Sequence, residues 1–190
     1  MADLEPFISF KKTDGWSANG LIQATDGNLY GTTQLGGDLT CLSKDGCGTI
    51  FKLDGDGALT TLYEFELNSG AISDAPLLQA TSGIFFGTTY GGGVPLCFQG
   101  CGTVFSLSVN LGPFVSLVGN PAKVGQTFGI LGQRLGTTTS VSLNGTPATF
   151  TVKSDTSLTA IVPEGATTGF VTVATSDGTL TSNQQFRVLP

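Results

Sequence analysis

LIQATDGNLYGTTQLGG (residues 21–37) lies on LLQATSGIFFGTTYGGG (77–93) when the chain is shifted by 56 residues. Ten of these 17 positions are identical: Leu21, Gln23, Ala24, Thr25, Gly27, Gly31, Thr32, Thr33, Gly36 and Gly37. Cys41 falls on Cys97 at the same shift. After a two-residue shortening GCGTIFKL (46–53) falls on GCGTVFSL (100–107). Duplication at a period of roughly 50 residues marks a stacked array such as propeller blades.

Within one unit LIQAT is a short apolar run, and Asp26-Gly27 gives a turn before the alternating NLYGTT. GTIFKL has apolar residues on both faces, and LDGDGALTTLYEF is a Gly-Asp-Gly turn followed by a strand. Four strands per unit is the content of one blade. No helical periodicity persists for ten residues here.

Working outward, the whole chain of 190 residues carries 28 Gly, few charges (12%) and ample apolar side chains (39%). That balance argues against disorder and for short strands joined by tight turns. The chain has no His, which excludes Ser-His-Asp, Cys-His and His-metal chemistry within it. A net charge of −6 argues against nucleic acid. No apolar run approaches the length of a membrane span, so no membrane insertion is expected. The start MADLEPFISF lacks the basic and apolar regions of a signal peptide and reads as a processed or engineered beginning.

The texture changes at Asn110-Leu111-Gly112-Pro113. Before it lie all four Cys and a net charge of −7; after it the net charge is +1. We read two domains, a repeat domain over 1–110 and a second over 111–190. The second shows segments TFGIL, SVSLN, ATFTV, SLTAIV, GFVTVAT and QQFRVL, separated by turn signals such as Asn144-Gly145 and Asp177-Gly178. This spacing predicts a β-sandwich. Its expected core is Val141, Leu143, Phe150, Leu158, Ile161, Val171, Val173, Phe186 and Val188. The fold class is therefore all-β: two propeller-blade-like four-stranded repeats plus an immunoglobulin-like β-sandwich.

The first half resembles the GloVer-type tandem repeats of bacterial exported proteins. The resemblance rests on DGNLYGTT, then GG, then GCGT(I/V)FKL, then a Leu-Tyr-x-Phe strand, over about residues 7–107. The second copy departs from it with Ser82-Gly83-Ile84-Phe85-Phe86. The resemblance implies an extracellular or cell-surface array with no known catalytic chemistry. Residues 113–189 resemble the IPT/TIG family of immunoglobulin-like domains, through Pro113…Gly125, SVSLNGTPATF (140–150), SDTSLTAIVPEGATTGFVTV (154–173) and the final Phe186-Arg187-Val188. The family's TIxGxNF segment stands here as TFGILGQRL. That resemblance implies spacer, adhesion or interface modules, some of which bind glycans.

Cys41 and Cys47, and Cys97 and Cys101, form two local pairs at matching places in the two units. Local disulfides would staple each loop to its strand; a single four-Cys zinc site and free thiols are the competing readings. Asp54-Gly55-Asp56-Gly57 looks like a calcium loop but has Phe65 where an EF-hand needs Glu, so it reads as a hairpin turn. Asn144-Gly145-Thr146 matches a glycosylation sequon and reads first as an Asn-Gly turn. Most acidic residues of the first half stand in turn contexts, no Gly cluster is followed by the Lys-Ser/Thr of a phosphate loop, and no catalytic residue is assigned. Trp16, Tyr30, Phe86 and Tyr90 would serve either a sugar-stacking face or contacts between blades. No cofactor or metal is expected.

The strand count carries the functional expectation. Pro6, Phe7, Ile8, Ser9 and Phe10 correspond to TLYEF (61–65), the fourth strand of the first unit. The second unit ends at Leu107 without a fourth strand, leaving Gly102, Thr103, Val104, Phe105, Ser106 and Leu107 as an acceptor edge. Two blades are too few for a ring, since propellers use about four or more. Donation of 6–10 to a neighbour's edge would give a homo-oligomer or homopolymer, a ring or a filament. A surface glycan is the second partner class, as for a carbohydrate-binding surface module, and a fragment of a longer repeat protein is a further reading.

Overall fold

The computed structural model describes residues 4–97 and 99–190. It is all-β, with several sheets and no barrel. The chain divides into two units. One runs up to Ala80 and resumes over Ile84–Val109; the other comprises Thr81–Gly83 and Asn110–Pro190.

The first unit contains β1 (Trp16–Ala18), β2 (Ile22–Gln23), β3 (Leu29–Leu35), β4 (Thr49–Leu53), β5 (Leu59–Glu64), β6 (Leu78–Gln79), β7 (Phe85–Thr89) and β8 (Thr103–Leu107). Blade one is the antiparallel sheet β1-β3-β4-β5, with β2 also on the β1 side of β3. Its first strand is thus broken in two, and Trp16–Ala18 is a strand that the sequence pattern did not reveal. Blade two is β6-β7-β8. The bridge Ala71↔Gly91 repeats the Trp16↔Leu35 pairing and marks the shrunken equivalent of β1.

The blades pack through the repeat's own aromatics. Tyr30 of β3 meets Phe85 of β7 with ring centroids 4.6 Å apart, and Phe65 meets Phe105 edge-on at 5.1 Å. Polar atoms at this seam pair across it. Ser73 Oγ donates to Thr32 Oγ1 (3.1 Å), the Asn19 amide donates to the Ser73 carbonyl, and Gln79 exchanges two hydrogen bonds with Thr25. The buried Ser73–Thr32 bond in particular fixes register, because leaving it unmade would strand desolvated hydroxyls.

The second unit contains β9 (Ser116–Val118), β10 (Ala122–Lys123), β11 (Thr127–Leu131), β12 (Ser140–Leu143), β13 (Thr146–Ala148), β14 (Phe150–Ser154), β15 (Ser157–Ile161), β16 (Val171–Thr175), β17 (Gly178–Thr181) and β18 (Val188–Leu189). Two four-stranded sheets, β14-β15-β11-β9 and β13-β12-β16-β17, form the sandwich, and β10 pairs with β18 in parallel. Val141, Leu143, Leu158, Val171, Val173 and Phe186 are buried, with Phe128 and Phe186 in ring contact at 4.4 Å. Three expected core residues differ. Ile161 is exposed, because β15 alternates and buries Leu158, Ala160 and the following Val162 instead. Phe150, on the edge strand β14, and Val188 only pack against the core's margin.

Candidate assembly site

The two long loops of the repeat are built by the same local chemistry. Thr33 on β3 and Thr49 on β4 face each other with hydroxyls 2.9 Å apart; the Thr49 N–H donates to Thr33 Oγ1 and the Thr49 hydroxyl donates to the Asp14 carbonyl. Thr89 and Thr103 repeat each bond in blade two, with Ser69 in the place of Asp14. Gly46 and Gly100 hold matching positive φ angles of 78° and 88°. A Cβ on either would run into the carbonyl oxygen of Gly36 or Gly92. Disulfides join Cys41 to Cys47 and Cys97 to Cys101, with Cα separations of 5.6 and 5.1 Å, and no described cysteine is free. Each bridge ties its loop beside the Gly-Cys-Gly-Thr entry to the blade's third strand.

That third strand differs in its surroundings between the blades. In blade one β5 covers the outer side of β4, with Thr49 opposite Glu64, Ile50 opposite Tyr63 and Phe51 opposite Thr61. The Phe65 N–H closes this edge by donating to the Gly48 carbonyl at 2.9 Å. In blade two β8 pairs with β7 only, so Thr103–Leu107 is an open edge among the described residues. Of the sequence-assigned edge residues, Thr103 to Leu107 stand together on β8, and Gly102 lies just before it, after the Cys101 staple.

Within a single chain segment 6–10 is not a strand; the sequence reading pairs it with a neighbouring copy. An isolated strand has no ladder to join, and none is offered to it here. Its side chains nevertheless have defined places. Phe10 meets Phe51 of β4 edge-on, with centroids 5.0 Å apart. Phe7 and Ile8 lie over the β4–β5 turn, where a Cβ on Gly57 would meet the Phe7 ring at 3.5 Å. Phe51 and Phe105 are repeat equivalents, as are Phe10 and Phe65. Phe10 therefore sits on blade one as Phe65, at the end of the blade-one sheet, sits on blade two.

The other sequence candidates resolve locally. Asp54 Oδ1 accepts from the N–H groups of Asp56 and Ala58 and closes the β4–β5 turn. Asp26 accepts from the Asn28 amide and from the Tyr30 hydroxyl at 2.9 Å. Burial works to raise the Asp26 pKa, but these hydrogen bonds together hold it below the ordinary carboxylate value. Burial, and then the Asp26 carboxylate, push the Tyr30 phenol up to about 12. Tyr30 is thus a buried bond donor rather than part of an exposed aromatic face, whereas Trp16, Phe86 and Tyr90 are exposed. Among the described residues no three His, Cys, Asp or Glu side chains group closely enough to hold a metal ion. No helix among them is long and apolar enough to cross a membrane.

The sandwich has two four-stranded sheets, a parallel β10–β18 closure and a Phe128–Phe186 core, and the family comparison covers this unit. Residues 113–188 match the model of the IPT/TIG domain family. The unit is immunoglobulin-like, as its strand order shows. No curated protein matches the chain. A solved structure titled "Crystal structure of with xylogluco-oligosaccharide" is similar over 84% of this chain, at 18% identity and a TM-score of 0.32; this chain spans 36% of its length. Within the IPT/TIG domain, Asn144 and Gly145 have φ angles of 47° and 86°, as a tight hairpin requires. The Asn144 amide is bound to Thr167 and Thr168. Exposed Arg134 pairs with Asp177 at 2.8 Å, and its hydrogen bond and charge lower the Asp177 carboxyl's pKa.

Proposed function

We propose that the chain is a non-enzymatic extracellular structural or adhesion module that joins copies of itself head to tail. Segment 6–10 of one copy serves as the fourth strand of blade two in the next. The observation that carries this reading is the match between two ring contacts. Phe10 on Phe51 reproduces Phe65 on Phe105, to 0.1 Å in centroid separation (5.0 against 5.1 Å) and in edge-on geometry. This match at Phe10 supports reading segment 6–10 as the last strand of a preceding blade, the one a neighbour leaves unfinished at β8.

The repeat supplies the register. Transferring the β4–β5 pairing to β8 puts Ile8 opposite Val104, Ser9 opposite Thr103 and Pro6 opposite Phe105. The Phe10 N–H would donate to the Gly102 carbonyl, as Phe65 does to Gly48. Pro6 then opens an edge strand, where a missing N–H is tolerated. Main-chain pairing of this kind is strand addition, and a heterologous contact repeated from copy to copy gives a ring or a filament. The local disulfides and the resemblance of the repeats to exported tandem arrays support an extracellular site of action, with the IPT/TIG domain as a spacer or adhesion module.

Sedimentation across a concentration series tests the reading. The intact chain should form species larger than one copy, and a chain lacking residues 1–11 should not. A PFISF-containing peptide added to the shortened chain should cap it without restoring growth. A monomeric intact chain at high concentration overturns the reading, and binding to a glycan array by that monomer would favour a carbohydrate-binding surface module.

A further inference from the structure

We infer that the two outer faces of the repeat unit are complementary stacking surfaces. The face of blade two bearing Leu78, Phe86 and Val104 packs on the face of blade one bearing Leu21 in a second copy of this chain. The inference rests on the head-to-tail reading and adds to it a surface that strand pairing alone does not require.

The internal seam of the chain is the template. Along β3, Tyr30 and Thr32 share one side and face blade two; Ile50, opposite Thr32, lies on the same side. Their repeat equivalents in blade two are Phe86, Thr88 and Val104, with Thr88 opposite Val104 and Leu78 opposite Phe86. Tyr30 and Ile50 are 2% and 1% exposed, whereas Phe86 and Val104 are 38% and 79% exposed. The same side of the same repeat is covered in one copy and bare in the other.

The opposite side shows the converse. Leu77 leans over Gly87 on the side of blade two that meets blade one, and it is 3% exposed. Its equivalent Leu21 leans over Gly31 in the same way and is 50% exposed. The unit therefore ends in the two halves of the interface it already contains. Blade two's bare face carries Leu78, Phe86, Thr88, Val104 and Ser106, with no charge among them, so nothing in its chemistry opposes burial against an apolar partner. A second copy fits because it offers blade one, the same repeat type whose counterpart already packs within the chain.

Hydroxyl-radical footprinting of the intact chain over a concentration series, with sedimentation on the same samples, tests the inference. Leu21 and Phe86 should become protected together as larger species form, while exposed Ile161 in the IPT/TIG domain should not. Phe86→Lys and Leu21→Lys should each weaken association roughly tenfold or more, the loss expected of a central apolar contact. Ile161→Lys should leave association unchanged. Trp16 fluorescence on heating checks that the lysine variants fold; if one does not, the footprint of the parent decides. Equal labelling of Leu21 and Phe86 in small and large species, or lysine variants that associate like the parent, overturns the stacking. Assembly lost on deleting residues 1–11 but kept in both lysine variants leaves strand donation standing without stacking. The reverse pattern leaves stacking without strand donation, and an intact chain monomeric throughout overturns both.

Discussion

Replacing Phe186 by Ala should remove the centre of the IPT/TIG core. The side chain is fully buried and its ring lies 4.4 Å from that of Phe128, itself buried. Phe-to-Ala changes at such sites cost about 3–5 kcal/mol, the lost transfer free energy plus the cavity left behind. A domain of this size has a total stability on the order of 5–15 kcal/mol, so the loss is a large share of it. At roughly 4–8 °C per kcal/mol, the lower bound of 3 kcal/mol already lowers the melting temperature by about 12–24 °C. The assay can separate the two units, because the single Trp and all three Tyr lie in the first half of the chain. Far-UV circular dichroism follows both units, whereas Trp16 fluorescence follows the blades. Phe186→Ala should move the dichroism transition and leave the fluorescence transition in place. Ile161→Ala, on the outer side of β15, should move neither by more than about 0.5 kcal/mol. A Phe186→Ala chain that melts like the parent, or an Ile161→Ala chain that loses as much, would refute the core assignment. Both signals falling together would refute the independence of the two units.

Under non-reducing conditions, peptide mapping should recover Cys41–Cys47 and Cys97–Cys101, and Cys97→Ser with Cys101→Ser should cost blade two about 2 kcal/mol, measured by urea unfolding. Thr33→Val should cost about 1–3 kcal/mol in the fluorescence transition, because it leaves the buried Thr49 N–H without its acceptor. Asp26 has a lowered pKa in the folded chain, so its contribution is present above the unfolded carboxylate value, about 3.9, and is lost as pH falls through the folded value. Acid titration of the parent against Asp26→Asn should therefore show a weaker loss of blade stability in the variant below about pH 4; superimposable titrations would remove Asp26 from the account.

The repeat made the blades legible because its identities fall on residues with physical jobs: Thr33 and Thr49 in the hydroxyl pair, Gly46 in the carbonyl contact, the cysteines in the staples. What escaped was broken or context-dependent. Trp16–Ala18 forms a strand from only three residues, and its equivalent in blade two shrinks to the single Ala71 bridge, so no alternation announces it. Ile161 reads as core from composition alone, yet the period of β15 turns it outward. Tyr30 and Phe86 occupy the same repeat position and have opposite exposures, because only one of them has a following blade to cover it. Sequence alone gives the position; the neighbour decides the burial. The place of Phe10 on Phe51 required three dimensions, because no pattern along the chain shows which ring it meets.

Strand donation between copies is tested most directly by mixing an Ile8→Cys chain with a Val104→Cys chain under mild oxidation. The native cysteines are already paired, so each variant carries one available thiol. The transferred register places residues 8 and 104 directly opposite each other, where facing side chains stand about 4.5–5.5 Å apart, close to the reach of a disulfide. The expected product is a dimer linked through residues 8 and 104 of different copies, absent when Val152→Cys on the IPT/TIG domain replaces the Val104 variant. A mixture yielding no more 8–104 linkage than that control would contradict the account.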